Sequence, residues 1–283
     1  MLRSLLFVPG NSPNLIMNCD TLGADVVIFD LEDAVSIEEK DSARILVRNS
    51  IKKLGFQRIK VAVRINAVAD DGFWKHDLDE IIPLSPDFIV LPKASSSEYV
   101  QSICHYVSGV ESQSNIQDGT VKILALVENS LGVENSYAIA SASKRVAGLC
   151  LGAEDLSADM RCARTKSGEE ISYARGRLVS AACAAGIVAF DTPYTSINDL
   201  NGLDEDVRKA KTLGFSGKLS ISPSHISTIN RVFNPSEQEL IYAQEVLSAI
   251  EQAQIMGKGA VALRGKMVDA PVVNRAKQIL GLL

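Results

Sequence analysis

Histidine and cysteine are scarce in this chain of 283 residues, and the shortage removes whole classes of chemistry. The three histidines, His76, His105 and His225, are scattered, which argues against a histidine-based zinc site. The five cysteines, Cys19, Cys104, Cys150, Cys162 and Cys183, are odd in number and contain no CxxC pair. They read as reduced thiols of a cytoplasmic protein, not as a disulfide framework. An excess of basic charge is also missing. The 29 Lys and Arg against 34 Asp and Glu leave a formal net charge of −5, with no basic stripe to bind nucleic acid. No apolar run reaches membrane-spanning length, so no membrane role is expected. The opening MLRSLLFVPG has only a short apolar core and runs straight into Pro9-Gly10-Asn11, so it reads as a first strand and not as a signal peptide. Low-complexity tracts and repeats are absent too, apart from an alternation of strand and helix.

What is present is a series of short β-rich runs: Ser4–Val8, Asp25–Phe29, Lys60–Ile65, Phe88–Leu91, Lys122–Val127, Val146–Leu151, Ile187–Phe190 and Lys218–Ile221. They are continuously apolar instead of alternating, as strands buried on both faces must be. Between them lie segments long enough for crossover helices, such as Ala43–Leu54, Val133–Ser143, Tyr173–Ala185 and Asp204–Leu213. Eight such strand–helix pairs predict an α/β fold, a (β/α)8 TIM barrel; an open doubly wound sheet is the alternative. The residues that follow the strands favour the barrel. The runs exit into Pro9-Gly10-Asn11, Asp30/Glu32/Asp33, Arg64/Asn66, Lys93, Glu128/Asn129, Glu154/Asp155, Asp191 and Ser222, and a barrel would bring all of these to its carboxyl-terminal mouth.

The barrel is expected to occupy residues 1–233, with a C-terminal helical extension over 234–283. In the extension, Ser236-Glu237-Gln238-Glu239 is a capping box opening a helix to about Met256. A Gly-Lys-Gly stretch, a strand-like AVALRG and a final helix from Asp269, with Pro271 in its first turn, complete it. An appendage of this length suits capping a mouth or packing on a neighbouring subunit.

Two runs end abruptly on acid: ALVEN, at Glu128, and CLGAEDLSADM, at Glu154 and Asp155. Glu128 and Asp155 would close the fifth and sixth strands, neighbours in a barrel. Two hard oxygen donors without histidine or cysteine suit Mg2+, with water and substrate oxygens completing the octahedron. Taken singly, either acid could instead cap its helix or pair with Arg64 or Lys93. Arg64, ending VAVRIN, could hold a substrate carboxylate by a two-pronged hydrogen bond, or neutralise Glu32 or Asp33. The acids of DLED could bind metal-bound water or orient Arg64. Lys40 and Arg44 could form one turn of a solvated helix face, Pro9-Gly10-Asn11 an ordinary turn, and Asp269 a helix N-cap.

These residues also carry a resemblance. RSLLFVPGN at the start, DLEDAV with Lys40 and Ala43-Arg44 after it, VRIN, LPK, GAEDLSADM, Arg164-Thr165, YAR at 173–175 and GKMVDAPVVNRA at 265–276 run in order along essentially the whole chain. Together they resemble the citrate lyase β-subunit family, the CitE-like branch of the HpcH/HpaI aldolase superfamily, which includes malyl-CoA and citramalyl-CoA lyases. The resemblance implies a (β/α)8 barrel, Mg2+ dependence and a trimeric or hexameric assembly. It places Glu128 and Asp155 on the family's metal-binding carboxylates and Arg64 on its substrate-carboxylate arginine. Asp269, in MVDAP, falls on an acid/base that reaches a neighbouring subunit's mouth. Ser222, in SISPSHI, stands where relatives often carry His or Asn.

The function this implies is reversible carbon–carbon cleavage of a 3-hydroxyacyl thioester of malyl, citramalyl or citryl type to an acyl thioester and a 2-oxo acid. The substrate would be carried on CoA or on an acyl carrier protein. Glu128 and Asp155 would bind Mg2+, with Glu128 also lining the substrate, Arg64 would hold and polarise the oxo-acid half, and Asp269 would protonate the thioester enolate. Pro9, Gly10 and Asn11 would touch the pantetheine arm. The alternatives are the β component of a multi-subunit citrate lyase, a malate-synthase or thioesterase activity, and a non-catalytic protein that binds a CoA ester.

Overall fold

The computed structural model describes residues 2–56, 58–68, 72–255 and 260–282. Eight parallel strands, β1 (Ser4–Pro9), β2 (Val26–Asp30), β3 (Lys60–Arg64), β4 (Phe88–Leu91), β5 (Lys122–Val127), β6 (Val146–Leu151), β7 (Val188–Asp191) and β8 (Gly217–Ser220), hydrogen-bond in sequence order. The ladder closes because β1 pairs with β2 on one side and β8 on the other, so the chain forms the (β/α)8 barrel and not the open sheet. Three of the eight strands, β4, β5 and β6, keep the bounds read from apolar runs; β1 and β3 shift by one residue at one end, and β2, β7 and β8 by one residue at both.

The uniform hydrophobicity of the strands follows from burial on both faces. Alternate residues, among them Leu5, Ile28, Val90, Leu126, Phe190 and Leu219, fill the barrel interior. Their neighbours, such as Val27, Val63, Ile89, Val127 and Leu151, pack outward under the helices. Each fully buried Leu or Ile contributes about 1.5–3 kcal/mol. Gly148 is required inside: a Cβ there would stand 3.1 Å from both Leu124 and Phe190 side chains.

The helical layer of this unit comprises α1 (Pro13–Asn18), α2 (Lys40–Leu54), α3 (Phe73–Ile81), α4 (Ser97–Gln113), α5 (Ser130–Glu134), α6 (Ser136–Ala140), α7 (Ala153–Asp159), α8 (Ser172–Ala185), α9 (Leu200–Leu213) and α10 (Ile226–Phe233). One expectation is corrected. The single helix over Val133–Ser143 is two short helices, α5 and α6, interrupted at Asn135, whose backbone leaves the helical region and whose side chain donates to the Ser95 carbonyl at 2.8 Å. A second correction concerns Lys40 and Arg44, which are not a solvated face. Arg44 is buried against Asp77 at 2.7 Å, and Lys40 donates to the carbonyls of Leu31 and Glu32 at 2.9 and 2.5 Å.

The chain divides into two compact units, Met1–Phe233 and Asn234–Leu283. The second contains α11 (Glu237–Ile255), an antiparallel hairpin of β9 (Val261–Leu263) and β10 (Lys266–Val268), and α12 (Ala270–Ile279) around Ala243, Val246, Val268 and Ala276. Its capping box forms as expected: the Ser236 N–H donates to Glu239 Oε2 at 2.7 Å, and the Glu239 N–H donates to Ser236 Oγ at 3.2 Å. The hairpin partner β10 was not expected, because GKMV carries no strand periodicity of its own. The predicted helix end at Met256 and the Gly-Lys-Gly stretch at 257–259 lie outside the described residues.

Candidate active site

The carboxyl-terminal mouth of the barrel encloses a cavity of about 420 Å³ lined by residues at the ends of every strand but β4, among them Pro9, Arg64, Glu128 and Asp155. Its floor is apolar, formed by Phe7, Leu126 and Leu219, and its rim is acidic. The strands end on these residues because polar side chains are tolerated only where the barrel opens to solvent.

Glu128 follows β5 and is almost fully buried. Its Oε1 accepts the Lys93 N–H at 2.7 Å. Lys93 reaches this position with a left-handed backbone, φ 53°, uncommon for a side-chain-bearing residue and consistent with a site that over-determines its own geometry. Burial pushes the Glu128 carboxyl up to about 8, with the charges of Glu32 and Asp155 pushing the same way. Gly152 must lack a side chain, because its Cβ would stand 2.6 Å from Glu128 Cβ and 2.7 Å from Oε2. Asp155 sits exposed in the first turn of α7, three residues after that glycine.

Glu32 is buried with no hydrogen bond to either carboxylate oxygen among the described residues. Only charge holds it, from Arg64 at 3.0 Å and Lys93 at 3.3 Å. Burial raises its pKa to about 7. Glu32 and Glu128 are therefore two buried carboxylates with less compensation than they need, the exposed Asp155 lines the same cavity as Glu128, and the donor set is oxygen alone. No group of three or more His, Cys, Asp or Glu able to hold a metal occurs among the described residues. A cation that keeps most of its waters and takes one or two protein carboxylates fits this arrangement, as Mg2+ does.

Arg64 is placed at the mouth as expected, but its fork is engaged. Nε and Nη2 bind Asp30 at 2.7 and 2.6 Å, and Nη1 faces Glu32 at 3.0 Å and Asp33 at 3.2 Å. Burial opposes its charge, but the Asp30 hydrogen bonds and the acids around it hold its pKa above the ordinary guanidinium value. The guanidinium also lies over the Phe7 ring, 5.0 Å from its centroid. The neutralising partner is thus mainly Asp30, one of the DLED acids expected to orient Arg64, more than Glu32 or Asp33. Nη1 is the one nitrogen a substrate carboxylate reaches by displacing only an exposed partner, Asp33.

The remaining residues divide. Pro9 lines the cavity. Gly10 is buried with its N–H on the Asp30 carbonyl at 2.8 Å, and a Cβ would meet that oxygen at 2.7 Å. Asn11 donates to Glu39 at 2.7 Å at the surface. Two strand exits do not join the mouth. Asp191 is fully buried between barrel and helices, bound to Arg175 and Lys218, and Thr192 lines the cavity in its place. Ser222 caps the short turn after β8 through its bonds with Ser224, and Ile221 lines the cavity instead. Both differences follow from the two-residue alternation of a strand: Phe190 and Leu219 face the barrel interior, so Thr192 and Ile221 face it again at the mouth and Asp191 and Ser222 turn away. Asn66 likewise turns away, to Asp77 at 2.8 Å. Asp269 belongs to the second unit, where its side chain caps α12 by accepting the Val272 N–H at 3.4 Å.

Residues 3–223 match the family model described as HpcH/HpaI aldolase/citrate lyase. The chain belongs to this family. Over 280 residues it is 40% identical to the citrate lyase subunit beta of Leuconostoc mesenteroides subsp. cremoris, covering 99% of this chain and 92% of that one. It is 30% identical over 298 residues to the L-malyl-CoA/beta-methylmalyl-CoA lyase of Cereibacter sphaeroides, covering 98% and 93%. Among solved structures it matches CitE of Mycobacterium tuberculosis in complex with magnesium, acetoacetate and coenzyme A, with a TM-score of 0.80, 30% identity, and coverage of 99% and 97%. Within the HpcH/HpaI aldolase/citrate lyase family, the ordered motifs of the sequence and the closed barrel therefore agree.

What sequence reasoning missed at the site is Thr192 and the steric need for Gly152. The glycine had a visible signal, since it separates an apolar strand from two acids. Thr192 had none.

Proposed function

We propose that this protein is a Mg2+-dependent carbon–carbon lyase that cleaves a 3-hydroxyacyl-CoA of malyl, citramalyl or citryl type to an acyl-CoA and a 2-oxo acid. The observation that carries the reading is the meeting of Glu128, Asp155 and Arg64 in one apolar-floored cavity, with acids outnumbering cations. A multiply anionic thioester would be repelled from such a mouth unless a cation were bound. The named activities of the relatives support the same reading.

Glu128 and Asp155 would hold Mg2+, which when bound supplies Lewis-acid charge at the substrate hydroxyl and its neighbouring carboxylate. Arg64 binds that carboxylate through Nη1, displacing Asp33, while Asp30 keeps the guanidinium plane fixed. As the bond between the hydroxyl-bearing carbon and the thioester α-carbon breaks, its electron pair passes to the thioester enolate. The hydroxyl gives its proton to solvent water at the open mouth, and its oxygen becomes the ketone oxygen of the oxo acid. Asp269 of a neighbouring subunit donates a proton to the enolate carbon, and in the condensing direction the same carboxylate takes it from the acetyl methyl. Pro9, Gly10 and Asn11 border the pantetheine arm. The assembly is a trimer or hexamer in which residues 234–283 pack on the neighbour, and the compartment is the cytoplasm. The MVDAP resemblance supports the first statement and the unpaired cysteines the second.

A second reading, the β component of a multi-subunit citrate lyase acting on a citryl-carrier protein, is favoured by the 40% identity to a citrate lyase subunit beta. Mass spectrometry of malyl-, citramalyl- and citryl-CoA incubated with protein, with Mg2+ or with chelator, separates the two. Metal-dependent acetyl-CoA with glyoxylate, pyruvate or oxaloacetate establishes the free-standing lyase. No turnover of free CoA esters, together with turnover of a citryl-carrier protein, establishes the subunit.

A further inference from the structure

The α7 helix that carries Asp155 has no cap of its own. Gly152 precedes it, and no side chain within the segment accepts its first N–H groups. A helix start left unsatisfied frays, and a carboxylate in its first turn would move with it. The missing acceptor comes from the next strand: the Ala153 N–H donates to Thr192 Oγ1 at 3.1 Å. Ala153 is fully buried and Thr192 is 1% exposed, so water does not compete for this bond.

Thr192 is itself held by what precedes it. Asp191, its chain neighbour at the end of β7, accepts Arg175 Nε and Nη2 at 2.9 and 2.8 Å and Lys218 Nζ at 2.5 Å. Arg175 and Lys218 also bind Asp206, at 2.7 and 2.6 Å. Two cations and two acids from α8, β7, β8 and α9 thus interlock in the layer behind the mouth, with Asp191 and Lys218 aligned across adjacent strands. Each charge has both opposite partners, which lets a buried group of this kind persist and act as a rigid anchor. The residue after the anchor is consequently fixed in position.

From this the geometry points to Thr192 as the positioning residue that sets the Asp155 carboxylate in the mouth, acting through the start of α7. The inference rests on the reading of Asp155 as a metal-binding carboxylate and adds a residue that no motif of the chain marks. Thr192 does not need to touch the metal. It removes the rotational freedom of the segment that presents the ligand, as outer-shell partners of ligating carboxylates do.

The test uses the full-length protein with Thr192→Val, which keeps shape and loses the acceptor, and Thr192→Ser, which restores it. Mn2+ binding, followed by electron paramagnetic resonance in the absence of substrate, should weaken about tenfold in Thr192→Val and return toward wild type in Thr192→Ser. Amide exchange over 153–159 should quicken in Thr192→Val alone, while the melting temperature stays within a few degrees. Asp155→Asn serves as the reference. If it loses Mn2+ and Thr192→Val binds as wild type, the inference falls and the metal reading stands. If Asp155→Asn binds Mn2+ as tightly as wild type, the metal reading falls and takes the inference with it. A Thr192→Ser variant as deficient as Thr192→Val also overturns the inference, since the hydroxyl would then not be what matters.

Discussion

Asp30 grips Arg64 through two parallel hydrogen bonds, Nε to Oδ1 at 2.7 Å and Nη2 to Oδ2 at 2.6 Å, at the mouth of the barrel. The same carboxylate accepts the backbone N–H groups of Glu32 at 2.9 Å and Ala34 at 3.3 Å. One side chain thereby aligns the arginine and shapes the acidic loop beside it. Asp30→Asn keeps the size but loses the charge and half of the fork. Stability should fall by about 3 kcal/mol, because the arginine is left buried with a weaker partner. Loss of turnover on the order of a hundredfold should accompany it, since the guanidinium is no longer held in plane. Urea unfolding and steady-state kinetics measure the two effects separately.

Asp155→Ala should abolish metal-dependent turnover while leaving the far-ultraviolet circular dichroism unchanged. Removing one of two protein ligands forfeits several kcal/mol of charge stabilisation in the transition state. Retained turnover in the presence of Mg2+ would sink the assignment of Glu128 and Asp155 as its ligands.

Gly152→Ala introduces a methyl 2.6 Å from Glu128 Cβ and 2.7 Å from its Oε2. Since the neighbour is a buried carboxylate and not a free chain end, the strain should cost about 1–3 kcal/mol. Mg2+ affinity, measured by calorimetry, should fall with it. An alanine variant with wild-type affinity would mean that Glu128 has room to move.

Asp269→Asn should lower kcat by a factor on the order of 10² to 10⁴ with little change in KM, as expected for a group that moves a proton and does not bind substrate. Mixing this variant with Asp155→Ala and reassembling the oligomer should recover activity, because each hybrid would pair an intact mouth with an intact Asp269 from its neighbour. Failure to recover activity would place Asp269 in the mouth of its own chain or reduce it to the cap of α12.

Asp206 supplies a pH dependence. Burial raises its pKa, but the charges of Lys218 and Arg175 outweigh that and leave it below the ordinary aspartate range. A carboxylate with a depressed folded-state pKa contributes stability that is fully present above its unfolded value and is lost as pH falls through the folded one. Unfolding free energy should therefore decline below about pH 4. Asp206→Asn should be less stable than wild type by about 3 kcal/mol at neutral pH, and the gap should narrow toward pH 2. A gap that stays constant across the series would show that the carboxylate charge is not what stabilises the network.

Much of the site was legible before the fold. Glu128, Asp155 and Arg64 end continuous apolar runs, and only a barrel mouth accommodates such endings. Thr192 and Ile221 were not legible, because which residues of a strand face the cavity is set by the phase of its two-residue alternation, and a run apolar on both faces does not reveal that phase. Asp191 carries the same acidic signature as Glu128 yet points away from the mouth, where Arg175 and Lys218 receive it.

The sequence by itself determined that eight two-sided apolar strands alternate with helices, that the strand ends carry oxygen donors, and that the ordered motifs belong to one family. These properties are local: each depends on composition and spacing within a few residues. Only the tertiary structure decided that the sheet closes, that Asp30 takes the Arg64 fork, that Glu32 is buried without a hydrogen bond among the described residues, and that Thr192 meets the start of α7 across 39 residues of chain. Such pairings link residues that no local rule connects, and they exist because β2 pairs with β3 and β6 with β7, which sets the end of each strand against that of its neighbour.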